Sequence, residues 1–263
     1  MIKITLDSAV YRAMVDSIYA VCTECRLLID STGITTRAVD SSNVHMIDFK
    51  LDRDAMLDLQ CTEPTEIGVD IKKLHMATWL LKPNTYISRD CTVTLPVVIE
   101  IDTSNKKEIQ ISCEHTTYTL KLYDLSTLLK MPNTPQVDPT STTFSISGDD
   151  LGDTIRVITK VSDKIEMSIN NQTRELTIEG RNDEKTEHLT KKLRNEIYYT
   201  SDCNSVKSAF SSEYMLKMAP VWESAIRVAV TLGTEKPVVF DQHMLGGKCH
   251  IKYILAPRIT PTP

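Results

Sequence analysis

Glycine is scarce, with 8 in 263 residues. Loops that wrap phosphates with bare backbone amides depend on glycine, and neither Gly-x-x-x-x-Gly-Lys-Ser/Thr nor Gly-x-Gly-x-x-Gly occurs. The Gly-x-Ser-x-Gly turn that exposes a nucleophilic serine is missing too. The six histidines are scattered, and none forms a His-Glu-x-x-His pair. Apolar runs such as Leu95-Pro96-Val97-Val98-Ile99 fall far short of the roughly 20 residues that span a bilayer, so no membrane partner is expected. At the N-terminus Lys3 is followed by Thr5, Asp7 and Ser8, unlike a charged-then-apolar secretion signal, so an intracellular protein is expected. Positive charge is not in excess: 30 Lys and Arg stand against 35 Asp and Glu, a net charge of −5. That balance excludes a protein gripping nucleic acid by bulk phosphate neutralisation, but leaves room for a local basic patch.

The seven cysteines are an odd number without a secretory route, which argues against a disulfide framework. Cys22-x-x-Cys25 is the one close pair. It lacks the second pair or the two histidines of a zinc site, and the strand-then-helix setting of a redox site. No cofactor or metal is expected. Asp52-x-Asp54 and Asp149-Asp150 read as turn or cap residues, and a small enzyme built on Cys22/Cys25 or on carboxylates is the competing class.

The composition, 41% hydrophobic and 25% charged, is that of a globular chain. At about 150 residues per domain the length suits one or two domains, able to bury roughly 70% of the unfolded surface. One plan occurs twice. Ser8 to Val21 carries Val10, Ala13, Met14, Ser17, Ile18 and Val21 at helical spacing after the N-cap candidates Asp7 and Ser8; strand, Gly33 turn and strand follow through Val39. In the second half a helix starts at Gly148-Asp149-Asp150 with Leu151, Ile155, Ile158 and Val161. Alternation through Ile165, Met167 and Ile169, a turn at residues 170–173, and Leu176 and Ile178 come next. Each half has a later helix, near Asp70 to Lys82 and near Ser208 to Met218, and then several strand-like segments. Between the halves, Pro132, Pro135 and Pro139 mark an extended connector. The expected domains are 1–123 and 142–263, joined by 124–141; two unrelated α+β domains are the alternative.

Four stretches are recognisable: Leu28 to Lys50, centred on Ala38-Val39-Asp40-Ser41-Ser42-Asn43-Val44; Leu128-Leu129-Lys130-Met131-Pro132; Val161-Ser162-Asp163; and His250 to Ile259. Spread in this order over nearly the whole chain, they resemble the sliding clamp family of archaea and eukaryotes, that of proliferating cell nuclear antigen. The resemblance implies an α+β fold, a duplicated DNA clamp of two similar domains. Each has two helices against antiparallel sheets, and three chains close head to tail into a ring around double-stranded DNA. It implies a processivity factor, not an enzyme, as a homotrimer that works with a clamp loader. DNA polymerase, flap endonuclease and DNA ligase would dock on it through short peptides bearing a Gln and paired aromatic or apolar anchors. A clamp-like subunit of a paralogous ring, with a checkpoint or transcription role, is the alternative. The expected location is cytoplasmic and nucleoid-associated if archaeal, nuclear if eukaryotic. The short Thr260-Pro-Thr-Pro263 ending, without an acidic tail, points to the archaeal case.

The same resemblance assigns residues. The DNA-facing set is Arg12, Lys72, Lys73, Arg156, Lys160 and Lys217, with Lys82 behind them; Met76, Trp79 and Pro220 stand where further basic groups are expected. Seven cations on the four helices meet seven acids (Asp7, Asp16, Asp70, Asp149, Asp150, Asp153 and Glu213). Four of the acids sit at helix starts, where capping explains them, leaving three. The peptide pocket has a floor of Val39, Val44, Leu129, Met131, Pro237 and Ile254, with Pro132 beside Met131. Asn43 is at its rim, and Ala256, Pro257 and Arg258 supply backbone. Subunit contacts fall near Tyr118, Leu120 and Leu122 on one chain and Leu189, Lys191 and Leu193 on the next.

Overall fold

A computed structural model describes the chain except at residues 81–94, 103, 105–106, 136–139, 183, 185, 195, 201–203 and 259–263. Lys82, Cys91, Cys203 and part of the connector therefore lie outside the described residues, as does the side chain of Trp79. The chain forms two compact units. The first is residues 1–38, 47–133 and 245–250; the second is 39–46, 134–244 and 251–263.

The first unit opens with β1 (Ile2–Asp7) and α1 (Ser8–Tyr19), continues through β2 (Glu24–Asp30) and β3 (Gly33–Val39), and takes most of β4 (His45–Asp52). β5 (Asp58–Gln60), β6 (Thr65–Asp70) and α2 (Ile71–Leu80) come next. The final strands are β7 (Pro96–Ile101), β8 (Glu108–Cys113) and β9 (Thr116–Lys121). One antiparallel sheet runs in the order β5-β1-β7-β8-β9, with Ile4 opposite Ile99 and Ile111 opposite Tyr118; β4, β3, β2 and β6 follow one another in a second. The second unit repeats the plan. β10 (Thr142–Ser147) leads into α3 (Gly148–Ile158), followed by β11 (Lys164–Asn170), β12 (Glu175–Arg181), β13 (His188–Leu193) and β14 (Tyr198–Tyr199). β15 (Val206–Ser211), α4 (Ser212–Trp222), β16 (Arg227–Leu232), β17 (Val238–Met244) and most of β18 (Cys249–Leu255) complete it. Its sheets run β13-β12-β11-β15 and β14-β10-β16-β17-β18.

The strands alternate because each sheet has one face in the core. β1 buries Ile2, Ile4 and Leu6, and β11 buries Ile165, Met167 and Ile169. The helices lie on these cores by their apolar stripes: Val10, Tyr11, Met14, Val15 and Ile18 on α1, and Leu151, Ile155 and Ile158 on α3. Asp7 caps α1 by accepting the Ala9 amide at 2.8 Å, and Asp70 accepts the Lys73 amide at 2.9 Å. At α3 the capping oxygen belongs to Ser147, while Asp149 and Asp150 occupy the first turn and Arg156 the last, each sign placed to suit the helix dipole.

One expected element shifts. Residues 208–211 belong to β15, and the fourth helix begins at Ser212. Phe210 is fully buried as part of the inward alternation Val206, Ser208, Phe210; its four-residue spacing to Tyr214 only imitates a helical stripe. Pro220 lies inside α4 in its last turn, not beyond its end.

Candidate functional site

The helices pair within each unit, α1 with α2 and α3 with α4, and each pair turns a polar face outward. On the first pair, Arg12, Lys72 and Lys73 are exposed, beside an exposed Met76. Arg12 donates to the Thr78 carbonyl at 3.5 Å, and Lys73 pairs with Asp70 at 3.3 Å. On the second pair Lys217 is exposed and Arg156 half-buried, next to exposed Val157 and Leu216; Lys160, expected on the helix, is exposed in the turn just beyond the end of α3. Lys217 pairs with Glu213 one turn back at 2.7 Å. Arg156 is held more firmly: its Nε and Nη2 each donate to one oxygen of Glu223 at 2.7 Å, a bidentate pair between the helices. Space for it comes from Gly152, where a β-carbon would stand 2.8 Å from Glu223 Oε1 and 2.9 Å from its Cγ. Half of the six expected cations are thus matched by carboxylates of the same chain. Arg12, Lys72 and Lys160 carry no ion pair among the described residues.

Within the second unit, Val39 packs against buried Met46, Val239 and Ile254. Met46 and Val239 are additions to the expected floor; alternation along β4 and β17 is the signal that turns them to the side of Val39 and Ile254. Val44 is half-buried and its carbonyl accepts the Ala256 amide at 2.9 Å, so the C-terminal segment is stitched to the loop at 40–44. Asn43 stands exposed at the loop tip with φ 55°, a conformation asparagine tolerates well. Pro237 is exposed and Pro257 half-buried, and the Arg258 amide donates to the Ala209 carbonyl at 2.7 Å while its guanidinium meets Asp163. Beside them a groove of about 360 Å³ is lined by Lys164, Lys207, Ala209, Thr234, Pro257 and Arg258, among others.

The connector leaves the first unit tied down at its start. Arg26 donates to the carbonyls of Leu125 and Leu128, and Leu128 is buried. The next residue is the opposite: Leu129 is 70% exposed, with Met131 and Pro132 half-buried. An apolar side chain that open on a Pro-flanked segment has no core of its own.

The expected subunit-contact strands are both sheet edges: β9 ends the five-stranded sheet and β13 the four-stranded one. Their apolar residues turn mostly inward. Leu120 and Leu193 are buried in their own units, Tyr118, Leu122 and Leu189 are half-buried, and Lys191 is exposed. What these strands offer a neighbour is chiefly their unpaired backbone.

Among the described residues the thiols are not arranged for chemistry. Cys22 and Cys25 are buried and free, and the Cys22 side chain together with burial pushes the Cys25 thiol well up; burial pushes Cys249 up to about 12. A thiol kept protonated is a poor nucleophile. Among the described residues no helix is long and apolar enough to cross a membrane.

Comparison with known proteins decides the family. The model of the proliferating cell nuclear antigen N-terminal domain matches residues 1–127. The DNA polymerase sliding clamp of Methanoregula boonei is 34% identical, covering 98% of this chain and 99% of its own. The chain belongs to the DNA polymerase sliding clamp family. The clamp of Methanocorpusculum labreanum, 32% identical with the same coverage, agrees. Among solved clamps, a structure described as the C-terminal region of FEN-1 bound to A. fulgidus PCNA superposes with a TM-score of 0.84 at 21% identity, covering all of both chains. The clamp of Entamoeba histolytica superposes at 0.83 with 14% identity, covering 98% of this chain and 99% of that one. The duplicated fold, with four α-helices against antiparallel sheets among the described residues, is that of the sliding clamps. Clamps of this family act in DNA replication as processivity factors, not as enzymes.

Proposed function

We propose that three copies of this chain close head to tail into a homotrimeric ring that encircles duplex DNA, with 1–123 and 142–263 as its clamp domains and 124–141 as the connector. The observation that supports the reading is that both expected contact strands are sheet edges, β9 in the first unit and β13 in the second. A strand edge seeks a partner, and two different edges, β9 on one copy and β13 on the next, suit a heterologous contact that closes by rotation. Pairing of Tyr118–Leu122 with Leu189–Leu193 of the next copy removes both edges. The helix faces then line the hole. Held by topology, the ring needs only weak, exchangeable phosphate contacts, which reconciles it with a net charge of −5. Arg12, Lys72 and Lys160 make those contacts, and the paired Lys73, Arg156 and Lys217 contribute less.

Val39, Val44 and Ile254 of the second unit take partner peptides carrying a Gln and apolar anchors, and Leu129 and Met131 on the connector are further candidate contacts for them. The clamp loader, DNA polymerase, flap endonuclease and DNA ligase are the partners. A clamp neighbour seen with the FEN-1 C-terminal region supports this choice. The chain itself catalyses no reaction, and it works at the DNA in the cytoplasm of an archaeal-type cell. Native mass and retention test the ring together. A particle of three times 29.6 kDa that stays on nicked circular plasmid after loader treatment is expected. Monomers at high concentration that wash off the plasmid would overturn the proposal.

A further inference from the structure

The loop at the pocket rim is wound around one carboxylate. Asp40 Oδ1 accepts the amides of Val44 and His45, both at 2.8 Å, and Oδ2 accepts that of Ser42 at 3.1 Å. The Asp40 carbonyl takes the Asn43 amide at 3.0 Å. A fourth donor to the carboxylate comes from far along the chain: the Tyr214 hydroxyl, on the first turn of α4, lies 3.1 Å from Oδ2. Beneath the loop His45 is 1% exposed. Its ring stands edge-on to Tyr214 at 5.6 Å, and its Nε2 is 3.2 Å from Met218 Sδ, also on α4. The loop therefore supplies its own shape through three backbone amides, and Tyr214 adds a tether to α4 beside its bond to Ala256.

We propose that Tyr214 is a positioning residue for peptide binding: its hydroxyl fixes Asp40, and through it the Asn43–Val44 rim, where the Val44 carbonyl meets Ala256. This rests on the pocket reading given above. Removing the hydroxyl leaves the three amide bonds, so the loop stays folded and loses only its tether to α4. Two readouts separate positioning from general support. The first is the acid limb of peptide binding. Burial pushes the Asp40 carboxyl up, yet the amides of His45, Val44 and Ser42 and the Tyr214 hydroxyl outweigh it and hold Asp40 below the usual range. The other titratable groups around it are His45 on β4, kept neutral down to about pH 4, and Lys217 on α4, whose ammonium lies over the Tyr214 ring. With one donor gone, Asp40 protonates at a higher pH, and peptide affinity falls off earlier on acidification. The second readout is coupling to Asp40 itself.

The experiment titrates a fluorescent peptide bearing a Gln and two aromatic anchors into the assembled protein across a pH series, with wild type, Tyr214→Phe, Asp40→Asn and the double variant. Tyr214→Phe is expected to bind about tenfold more weakly, with its acid limb moved to higher pH and its native mass unchanged; an ionic hydrogen bond has this scale. In the Asp40→Asn background the same substitution adds nothing. Equal affinity and an unmoved acid limb in Tyr214→Phe overturn the proposal and leave the pocket standing, as does an equal loss with and without Asp40. Failure of the wild type to bind the peptide overturns both.

Discussion

The Arg156–Glu223 pair withholds a guanidinium from the helix face, and releasing it has a calculable effect. Glu223→Gln keeps the shape and removes the charge, so one cation per chain, three per ring, becomes free. Each cation that reaches a phosphate steepens the plot of log affinity against log salt by about 0.9. Over a fourfold change in salt, about 50 to 200 mM, one contact changes affinity roughly 3.5-fold and three contacts roughly 40-fold. The assay is the affinity of the assembled ring for a short fluorescent duplex over that salt range. The variant should bind more tightly at the low end, with a slope steeper by between about 0.9 and 2.7. The pair is 40% and 30% exposed, so its loss should lower unfolding stability by no more than about 1 kcal/mol. Gly152→Ala offers an independent route. The new methyl displaces the end of Glu223 while improving helix propensity, so it should reproduce the steeper slope without loss of stability. An unchanged slope in both variants, with native mass intact, would refute the idea that this carboxylate masks Arg156 from DNA.

Lys72→Glu with Lys160→Glu, which reverses two unpaired cations, should shorten retention on circular DNA and leave peptide binding untouched; normal retention removes both from the DNA face. Met131→Asp should abolish peptide binding while size-exclusion still reports the ring, and an unchanged titration would discard Met131 as a peptide contact. Stability should depend on His45, whose burial pushes it from 6.5 down to about 4. The unfolded chain binds this proton and the folded one does not, so stability is complete above pH 6.5 and falls as the pH drops towards 4, by about 3 kcal/mol in all. Urea titrations of His45→Gln should show a flatter profile over that window, and an equally steep one would point to another group.

Where the chain alternates or repeats every three to four residues, the architecture can be read directly. β8 runs from Glu108 to Cys113 as its pattern indicates, and Leu151, Ile155 and Ile158 mark the buried side of α3. β1 and β10 escape such reading because each runs into its helix with no Pro to part them, β1 with no Gly either, and the N-cap serves as the last strand residue. β15 is obscured by small residues, Ser208 and Ala209, which leave Phe210 to be claimed by the helix after it. Local charge pairing is legible too, since Glu213 and Lys217 are one turn apart. Glu223 is 67 residues from Arg156, and only packing of α3 on α4 brings them together. The same holds for Tyr214 and Asp40, 174 residues apart and joined by nothing in the spacing.

Gly148 opens α3 against the end of α4, where a β-carbon would collide with the carbonyl oxygens of Trp222 and Ala225. The two rods come close enough there for main chain to face main chain, like a key in its slot. Arg156 on α3 and Lys217 on α4 lie on the two helices that this contact brings together. A hydrogen atom in place of a methyl group is what admits so close an approach.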